Sequence, residues 1–314
     1  MKKGLIIGIC AVLAVVIAAC AFVLPGLNKA DTQDEGEAPA GMVKVWLLES
    51  CQTKSGEGGV ISYSDDGIPT EYLTYNSNNE VAARVTYDEK GRSVCTISYL
   101  NGMDASETSV EYDENGNVLR SVTVYGGQTL SDLRYTYNEN GDLAKLEGTQ
   151  NGAETVYEYQ YGAKGMPLVV TESTITGEKS RQEYEYEDDG TLLLKTVYQN
   201  GAVAYTIEYE YGENGESYVE KKVSADGSYR EIRGHRYDEN GRKVEFRLDG
   251  SNGENTYLFT YLEDGRLDKV VSNDGETEKV CKYKAVTVTA EKAEELQKIQ
   301  DSLFEGILYD AKLQ

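Results

Sequence analysis

The sequence contains one histidine, His235, and this limits the catalytic chemistry available to the chain. A Ser-His-Asp or Cys-His arrangement needs that histidine beside a nucleophile, but the sequence has no G-x-S-x-G elbow to supply one. The HExxH, P-loop and dinucleotide-binding motifs are also missing. We therefore predict that His235 is a packed ring, that no cofactor binds and that the protein is not an enzyme. A hydrolase would need a cleft around His235.

The acidic residues offer two further kinds of site. The chain has 54 Asp and Glu residues, so carboxylate pairs at any sequence spacing are expected by chance. Their spacing therefore neither supports nor excludes a glycosidase-type pair of catalytic carboxylates. Turns such as Asp113-Glu114-Asn115-Gly116 place oxygen ligands at a bend, as calcium loops do. An EF-hand needs alternating carboxylates and a closing bidentate Glu, which these turns lack. We predict simple hairpin turns and no metal site.

The cysteines are too few and too far apart for a zinc site. Beyond the N-terminal segment the chain retains Cys51, Cys95 and Cys281, without a C-x-x-C pair. The sequence predicts small buried hydrophobic residues with at most one disulfide. The formal net charge of −23 repels phosphate backbones, so we expect no nucleic-acid partner.

A repeat of about 25 residues positions all of these groups. Turn glycines recur every 24 to 26 residues, at Gly67, Gly91, Gly116, Gly141, Gly165, Gly190, Gly215, Gly241 and Gly265. A second series, which includes Asn101-Gly102, Asn151-Gly152 and Asn200-Gly201, falls between them. The Asp-x-x-Gly turns fit type I turns closed by a positive-φ glycine, and Asn-Gly fits type I′ turns. Each repeat is therefore two antiparallel strands of roughly 7 to 10 residues.

Alternation along these strands predicts one apolar face and one acidic face. Tyrosine must provide much of the apolar area, since the chain has 25 Tyr but 4 Phe and 1 Trp. The position two residues before the turn tyrosine is expected to form a stacked inward column. Its members are Ile61, Leu73, Val85, Val110, Tyr135, Tyr159, Tyr184, Tyr209, His235, Phe259 and Cys281.

The motif Tyr-[Asp/Asn]-x-x-Gly-x-[Leu/Val], seen at Tyr112 to Val118 and Tyr137 to Leu143, resembles the YD repeats of Rhs and teneurin-type proteins. The resemblance covers about residues 60–285. It implies hairpins that build a long sheet coiled into a shell, on an exported bacterial protein. The array is much shorter than in large members, and no toxin domain is recognisable after it. MORN-like hairpin repeats are a second resemblance.

Residues 1–27 are predicted to be a signal peptide or an N-terminal membrane anchor. Lys2 and Lys3 precede an apolar run long enough to span a bilayer. Ile17-Ala18-Ala19-Cys20 resembles the lipobox of bacterial lipoproteins, which implies lipidation of Cys20. The apolar residues that follow Cys20 favour instead an uncleaved helical anchor, and full secretion is a third alternative. All three alternatives place the body of the protein outside the cytoplasm. A lipid anchor or a helical anchor would hold it at the extracytoplasmic face of a bacterial membrane. Residues 28–41 are predicted to be an acidic flexible linker between the anchor and the folded domain.

The two ends of the repeat domain, residues 42–285, are predicted to be capped. Val43 to Leu48 are expected to form a first strand that covers one open end. Residues 286–314 are expected to form a helical cap, with Thr289 as its N-cap residue. Its apolar stripe would comprise Ala293, Leu296, Ile299 or Gln300, and Leu303.

The predicted fold is all-β, a long antiparallel hairpin meander in one curved or coiled sheet with a short C-terminal helical cap. Two functions fit it. The first is a non-catalytic cell-surface module that binds or displays, with a carbohydrate or a cell-envelope protein as partner. Its candidate ligand-binding residues are Tyr99, Tyr125, Tyr198 and Tyr205. The second, which the YD resemblance implies, is a shell or carrier that encloses or presents another polypeptide; a closed aromatic-lined cavity would favour it.

Overall fold

The computed structural model describes residues 41–100, 102–162, 165–213, 216–250, 253–273 and 277–310. The predicted N-terminal anchor, its lipidation site Cys20 and the acidic linker up to residue 40 lie outside the described residues. Within the described part of the chain, no helix is long and apolar enough to cross a membrane.

Twenty strands in one sheet, followed by one helix, make up the described fold. Every strand pairs antiparallel with its chain neighbour, which confirms the predicted hairpin meander with a helical cap. The elements are β1 (Met42–Thr53), β2 (Gly58–Tyr63), β3 (Pro69–Tyr75), β4 (Val81–Tyr87), β5 (Ser93–Leu100), β6 (Met103–Tyr112), β7 (Val118–Tyr125), β8 (Gln128–Tyr137), β9 (Leu143–Gln150), β10 (Ala153–Tyr161), β11 (Pro167–Thr174), β12 (Gly177–Tyr186), β13 (Leu192–Gln199), β14 (Ala202–Tyr211), β15 (Ser217–Ser224), β16 (Tyr229–Tyr237), β17 (Lys243–Gly250), β18 (Gly253–Tyr261), β19 (Leu267–Ser272), β20 (Glu278–Thr289) and α1 (Ala290–Asp310).

Two kinds of turn alternate along the meander, as predicted. In the β6–β7 turn the backbone N–H of Gly116 donates to the Asp113 carbonyl (3.1 Å), and Gly116 has a φ of 92°. The Asp113 carboxylate also accepts the N–H of Asn117 (2.8 Å), and hydrogen bonds from Asn117 lower the pKa of Asp113. In the β9–β10 turn Asn151 and Gly152 both have positive φ, 52° and 77°, as a type I′ turn requires.

Most of the turn tyrosines link their hairpin to the one before it. The Tyr137 hydroxyl donates to the carbonyl oxygen of Val118 at 2.9 Å, 19 residues earlier in the chain. The same bond recurs around the sheet and fixes the phenol rings at one end of the strands. The further pairs are Tyr63 with Leu48, Tyr112 with Ser93, Tyr161 with Leu143, Tyr186 with Pro167, Tyr211 with Leu192, Tyr261 with Lys243 and Tyr283 with Leu267.

The sheet closes on itself, because its first strand pairs with its last. The β1–β20 register runs from Met42 opposite Thr289 to Thr53 opposite Lys279, with an irregularity between Leu48 and Ser50. Near the Thr53–Lys279 end of this pairing, β1 also pairs with β2, and β20 also pairs with β19, so the ring of strands is complete. The predicted first strand therefore does more than cover an opening: it is the strand that joins the two ends of the array. We call the β1–β20 pairing the seam.

One face of this single sheet is buried, and we call it the inner wall. Buried residues directly opposite one another, such as Tyr135 and Leu146, or Phe259 and Val270, lie on this face. Among the described residues no second layer of strands covers it, since all 20 strands belong to one sheet. The curvature of the closed sheet, with α1 at one end, therefore buries the inner wall.

The prediction that Leu73 belongs to the inward column is wrong. Ile61 lies opposite Tyr72, and Tyr72 lies opposite Val85, so Tyr72 occupies the column and is 7% exposed. Leu73 pairs with Val60 on the other face. The turn that follows Tyr75 lies at the opposite end of the ring from the turn that follows Tyr63, so counting back two residues from Tyr75 selects the wrong face.

Helix α1 packs at the end of the ring that carries the tyrosine turns. Its N-terminus is capped as predicted, because the Thr289 hydroxyl accepts the N–H of Lys292 (3.2 Å). Leu296 is fully buried against Val45, Leu47 and Ile68. The same helix buries Leu303 in a second apolar cluster, which we call the seam cluster because it is built around Cys51 and Cys281 of the seam and includes Phe259 and Val270. The Gln300 side chain accepts the Leu48 N–H (3.0 Å).

Candidate functional site

The inner wall carries a row of aromatic rings on alternate strands. Tyr135, Tyr159, Tyr184 and Tyr209 occupy equivalent positions on β8, β10, β12 and β14, followed by His235 on β16 and Phe259 on β18. Burial, reinforced by neighbouring tyrosines, raises the pKa of Tyr159 and of Tyr184 to about 12. The row is therefore a neutral, apolar surface with hydroxyl groups that can donate hydrogen bonds.

We expect this burial to be visible in a pH titration. Because the folded-state pKa of Tyr159, Tyr184 and Tyr261 is raised to about 12, each favours the neutral phenol. Their contribution to stability is present below the unfolded value near pH 10 and is lost between pH 10 and pH 12. Tyrosinate absorbance should show a group of phenols that ionise near pH 12 in the native protein and near pH 10 in urea. A single native transition near pH 10 would contradict the inner-wall assignment.

Next to the aromatic row, strands β13–β16 bring charged side chains onto the inner wall. Cross-strand pairing places Lys195 opposite Tyr184, and Lys222 opposite Ile207, on the same face. The Lys222 ammonium lies 4.3 Å above the Tyr205 ring and that of Lys195 5.3 Å from the Tyr184 ring. Burial lowers the pKa of Lys195, which the ring face and Glu220 offset in part. Two cations are thus held over ring faces inside the shell.

His235 lies in this charged sector as one member of an aromatic stack. Its ring is parallel to that of Tyr218, with centroids 4.2 Å apart, and lies 5.1 Å from the ring of Phe246. Its Nε2 is 3.9 Å from the Glu220 carboxylate. The side chain is 7% exposed, as the predicted packed ring would be.

The four tyrosines proposed from the sequence as ligand-binding residues do not form one surface. Tyr205 lies opposite buried Val197 and faces inward. Tyr125 is in phase with buried Ser121 on the same strand and also points to the inner side, but at the strand end it is 42% exposed. Tyr198, next to Val197, faces outward, where it contacts Arg181 (4.4 Å) and its hydroxyl donates to Glu183 (3.0 Å). Tyr99 lies on the same outer face, two residues beyond Ile97 on β5.

The charged inner-wall residues were not among the sequence candidates. Lys195, Lys222 and Arg233 alternate with apolar or polar neighbours in the same way as the outward lysines, so composition gives no sign of their direction. Strand alternation could have indicated their direction. Lys195 lies two residues before inward Val197 on the same strand, and it pairs with inward Tyr184 across the sheet. Among the described residues, no group of three His, Cys, Asp or Glu side chains is arranged to hold a metal ion.

No family model and no curated protein matches this chain. Similar solved structures include that of TcdB2-TccC3-Cdc42, with 13% identity over 71% of this chain and a TM-score of 0.34. This chain spans 15% of that protein's length. A porin-like protein from Bacteroides uniformis has 12% identity over 77% of this chain and 96% of its own, with a TM-score of 0.36. The Photorhabdus luminescens Tc holotoxin pore has 11% identity over 74% of this chain and 18% of its own, with a TM-score of 0.19. At these scores neither fold nor function transfers to this chain.

Proposed function

We propose that the protein is a non-catalytic shell that holds an extended segment of another polypeptide against its inner wall. The observation that carries this proposal is the closure of the sheet at the seam, where β1 pairs with β20 along most of its length. A closed sheet separates an inside from an outside, whereas a flat sheet would offer its tyrosines on one open face. The shell alternative drawn from the sequence is therefore the better supported of the two.

The number of strands supports an interior large enough for a guest. Strands lie about 4.8 Å apart, so 20 strands give a perimeter of about 96 Å, which strand tilt increases. Closed sheets of about 16 or more strands leave an open interior instead of one filled by their own side chains. An extended polypeptide is about 10 Å wide with its side chains, like one layer of a packed sheet.

The chemistry of the inner wall favours a guest with aromatic or apolar side chains interspersed with acids. The tyrosine row supplies ring faces, and Lys195, Lys222 and Arg233 supply cations on strands β13–β16. The outer face of the same strands carries acids, among them Glu208 and Glu210 on either side of inward Tyr209. Glu220 and Glu231 lie on the same inner wall, and Glu231 pairs with Arg233, so the attraction for a guest's acids rests on Lys195 and Lys222.

We further propose that the N-terminal segment anchors this shell at the extracytoplasmic face of a bacterial membrane. The apolar run and the possible lipidation site Cys20 support this placement, as does the acidic linker that leads into β1. His235 supports the non-catalytic part of the proposal, because it is packed between two rings.

Two tyrosines on opposite faces allow a matched test. Tyr205 faces inward beneath Lys222, and Tyr198 faces outward against Arg181, with similar ring-to-cation distances of 4.3 and 4.4 Å. The probe is fluorescein-labelled, reduced and carboxymethylated α-lactalbumin, an acidic unfolded polypeptide, and binding is followed by fluorescence anisotropy. We expect Tyr205→Ser to raise the dissociation constant about tenfold, since a buried aromatic contact is lost, and Tyr198→Ser to leave it unchanged.

The opposite result would support the display function. Loss of binding in Tyr198→Ser with none in Tyr205→Ser would place the ligand on the outer face and overturn the enclosed-guest proposal. Bound guest should also be protected from proteinase K over a continuous segment. Uniform cleavage of bound guest would contradict enclosure.

A further inference from the structure

We infer that Cys51 and Cys281 form a disulfide that closes the ring covalently at the seam. This inference does not depend on the proposed guest. It concerns how the shell is held shut, and it identifies the pair for the disulfide that the sequence prediction allowed without locating.

The strand register brings the two cysteines directly together. Cys51 on β1 is the antiparallel partner of Cys281 on β20. Opposed residues in such a pair have Cα atoms about 4.5–5.5 Å apart, within the range of about 4.4–6.8 Å that disulfides use. The Cys281 and Cys51 sulfur atoms lie 2.6 Å apart, well inside van der Waals contact and close to the S–S bond length of about 2.05 Å. The bond therefore needs no rearrangement of the backbone.

The pair lies where a covalent bond has the largest topological effect. Cys51 also lies opposite Gly59 of β2, so it stands at the point where the first, second and last strands meet. The bond would join residues 230 positions apart and make the closed sheet a covalent ring. Both side chains are buried in one cluster with Phe259 and Val270, so the bond would form inside the apolar packing of the seam.

The two thiols perturb each other's ionisation. Their contact lowers the pKa of Cys51, and the same contact and burial raise the pKa of Cys281. Either sulfur, as a thiolate, can begin the exchange, for example that of Cys51. It attacks a disulfide RS–SR, such as oxidised glutathione or the active-site disulfide of a thiol oxidoreductase, to form Cys51–S–SR and release one RS⁻. Cys281 then loses its proton, attacks the Cys51 sulfur and releases the second RS⁻, so that two protein thiols and RS–SR become one protein disulfide and two RSH.

Cys95 provides a matched control. It lies on β5, four strands from β1 of the seam, opposite Ser109 of β6, and its sulfur is 3.9 Å from the carboxylate of Glu107 on that strand. Burial and the adjacent Glu107 raise the pKa of Cys95, which disfavours its thiolate. Cys95→Ser should therefore leave the cross-link intact, and Cys51→Ser should abolish it.

The test is peptide mapping of the full-length protein. Protein is incubated with oxidised glutathione, free thiols are alkylated under denaturing conditions, and an unreduced digest is analysed by mass spectrometry. We expect one peptide pair linking Cys51 to Cys281, lighter by two hydrogens than the sum of its thiol forms, in the wild type and in Cys95→Ser. A reductant should lower the melting temperature of those two proteins but not that of Cys51→Ser. Full alkylation of Cys51 and Cys281, or links to other cysteines instead, would overturn the inference.

Discussion

Val45→Asp is expected to lower the free energy of unfolding by about 4 kcal/mol, because it places an unpaired carboxylate in a buried apolar cluster. Val45 is 8% exposed and packs with Leu47, Ile68 and Leu296. That cluster is assembled from β1, the β2–β3 turn and α1, so its loss would loosen both the seam and the helical cap. Urea denaturation followed by circular dichroism measures the effect.

Val43→Asp is the matched control. Val43 lies on the same strand and face, two residues earlier, but is 38% exposed, so its substitution should change stability by about 0.5 kcal/mol at most. Equally large losses in the two variants would mean that Val43 is as buried as Val45, and tolerance of both would mean that Val45 does not belong to a buried cluster under the helix.

Phe259→Ala is expected to lower the free energy of unfolding by about 3–5 kcal/mol, the cost of removing a buried phenyl ring and leaving a cavity. Phe259 is 4% exposed in the seam cluster, beside Val270 on the neighbouring strand. The neighbouring residue, Leu258, is 43% exposed on the outer face, and Leu258→Ala should cost about 0.5 kcal/mol or less.

These two variants test the assignment of the faces, since they are adjacent in sequence and opposite in direction. A large loss in Leu258→Ala with tolerance of Phe259→Ala would show that inner and outer walls are exchanged. Thermal denaturation of both proteins at the same pH and salt concentration decides between the outcomes.

Local sequence signals were enough to predict the hairpins, their turns and the helix cap. Asp113 to Gly116, Asn151-Gly152 and Thr289 each act within a few residues, so their geometry follows from residue type. Such signals also gave most of the inward column. They failed at Leu73, where the direction depends on which end of the ring a turn occupies.

The closure of the sheet and the composition of the inner wall could not be predicted. Pairing of Met42 with Thr289 joins segments at opposite ends of the array, and neither segment carries the Tyr-[Asp/Asn]-x-x-Gly signal that marks the repeats. The bond from each turn tyrosine to the previous hairpin, as from Tyr137 to Val118, is likewise set by the stacking of repeats. Tyr198 and Tyr205 looked equivalent in sequence because both lie outside the turn column, yet they face opposite sides.

Closure is the central claim, and amide hydrogen exchange at the seam tests it most directly. In the closed ring, residues 42–48 pair with residues 283–289, so about half of the amides in these two segments should exchange slowly. Residues 50–52 and 279–280 have a strand partner on both sides, so their amides should be as protected as those of the β12–β13 hairpin. In an open sheet, residues 42–48 and 283–289 would have no strand partner. Rapid and complete exchange in both segments, with β12 and β13 still protected, would contradict the closed shell.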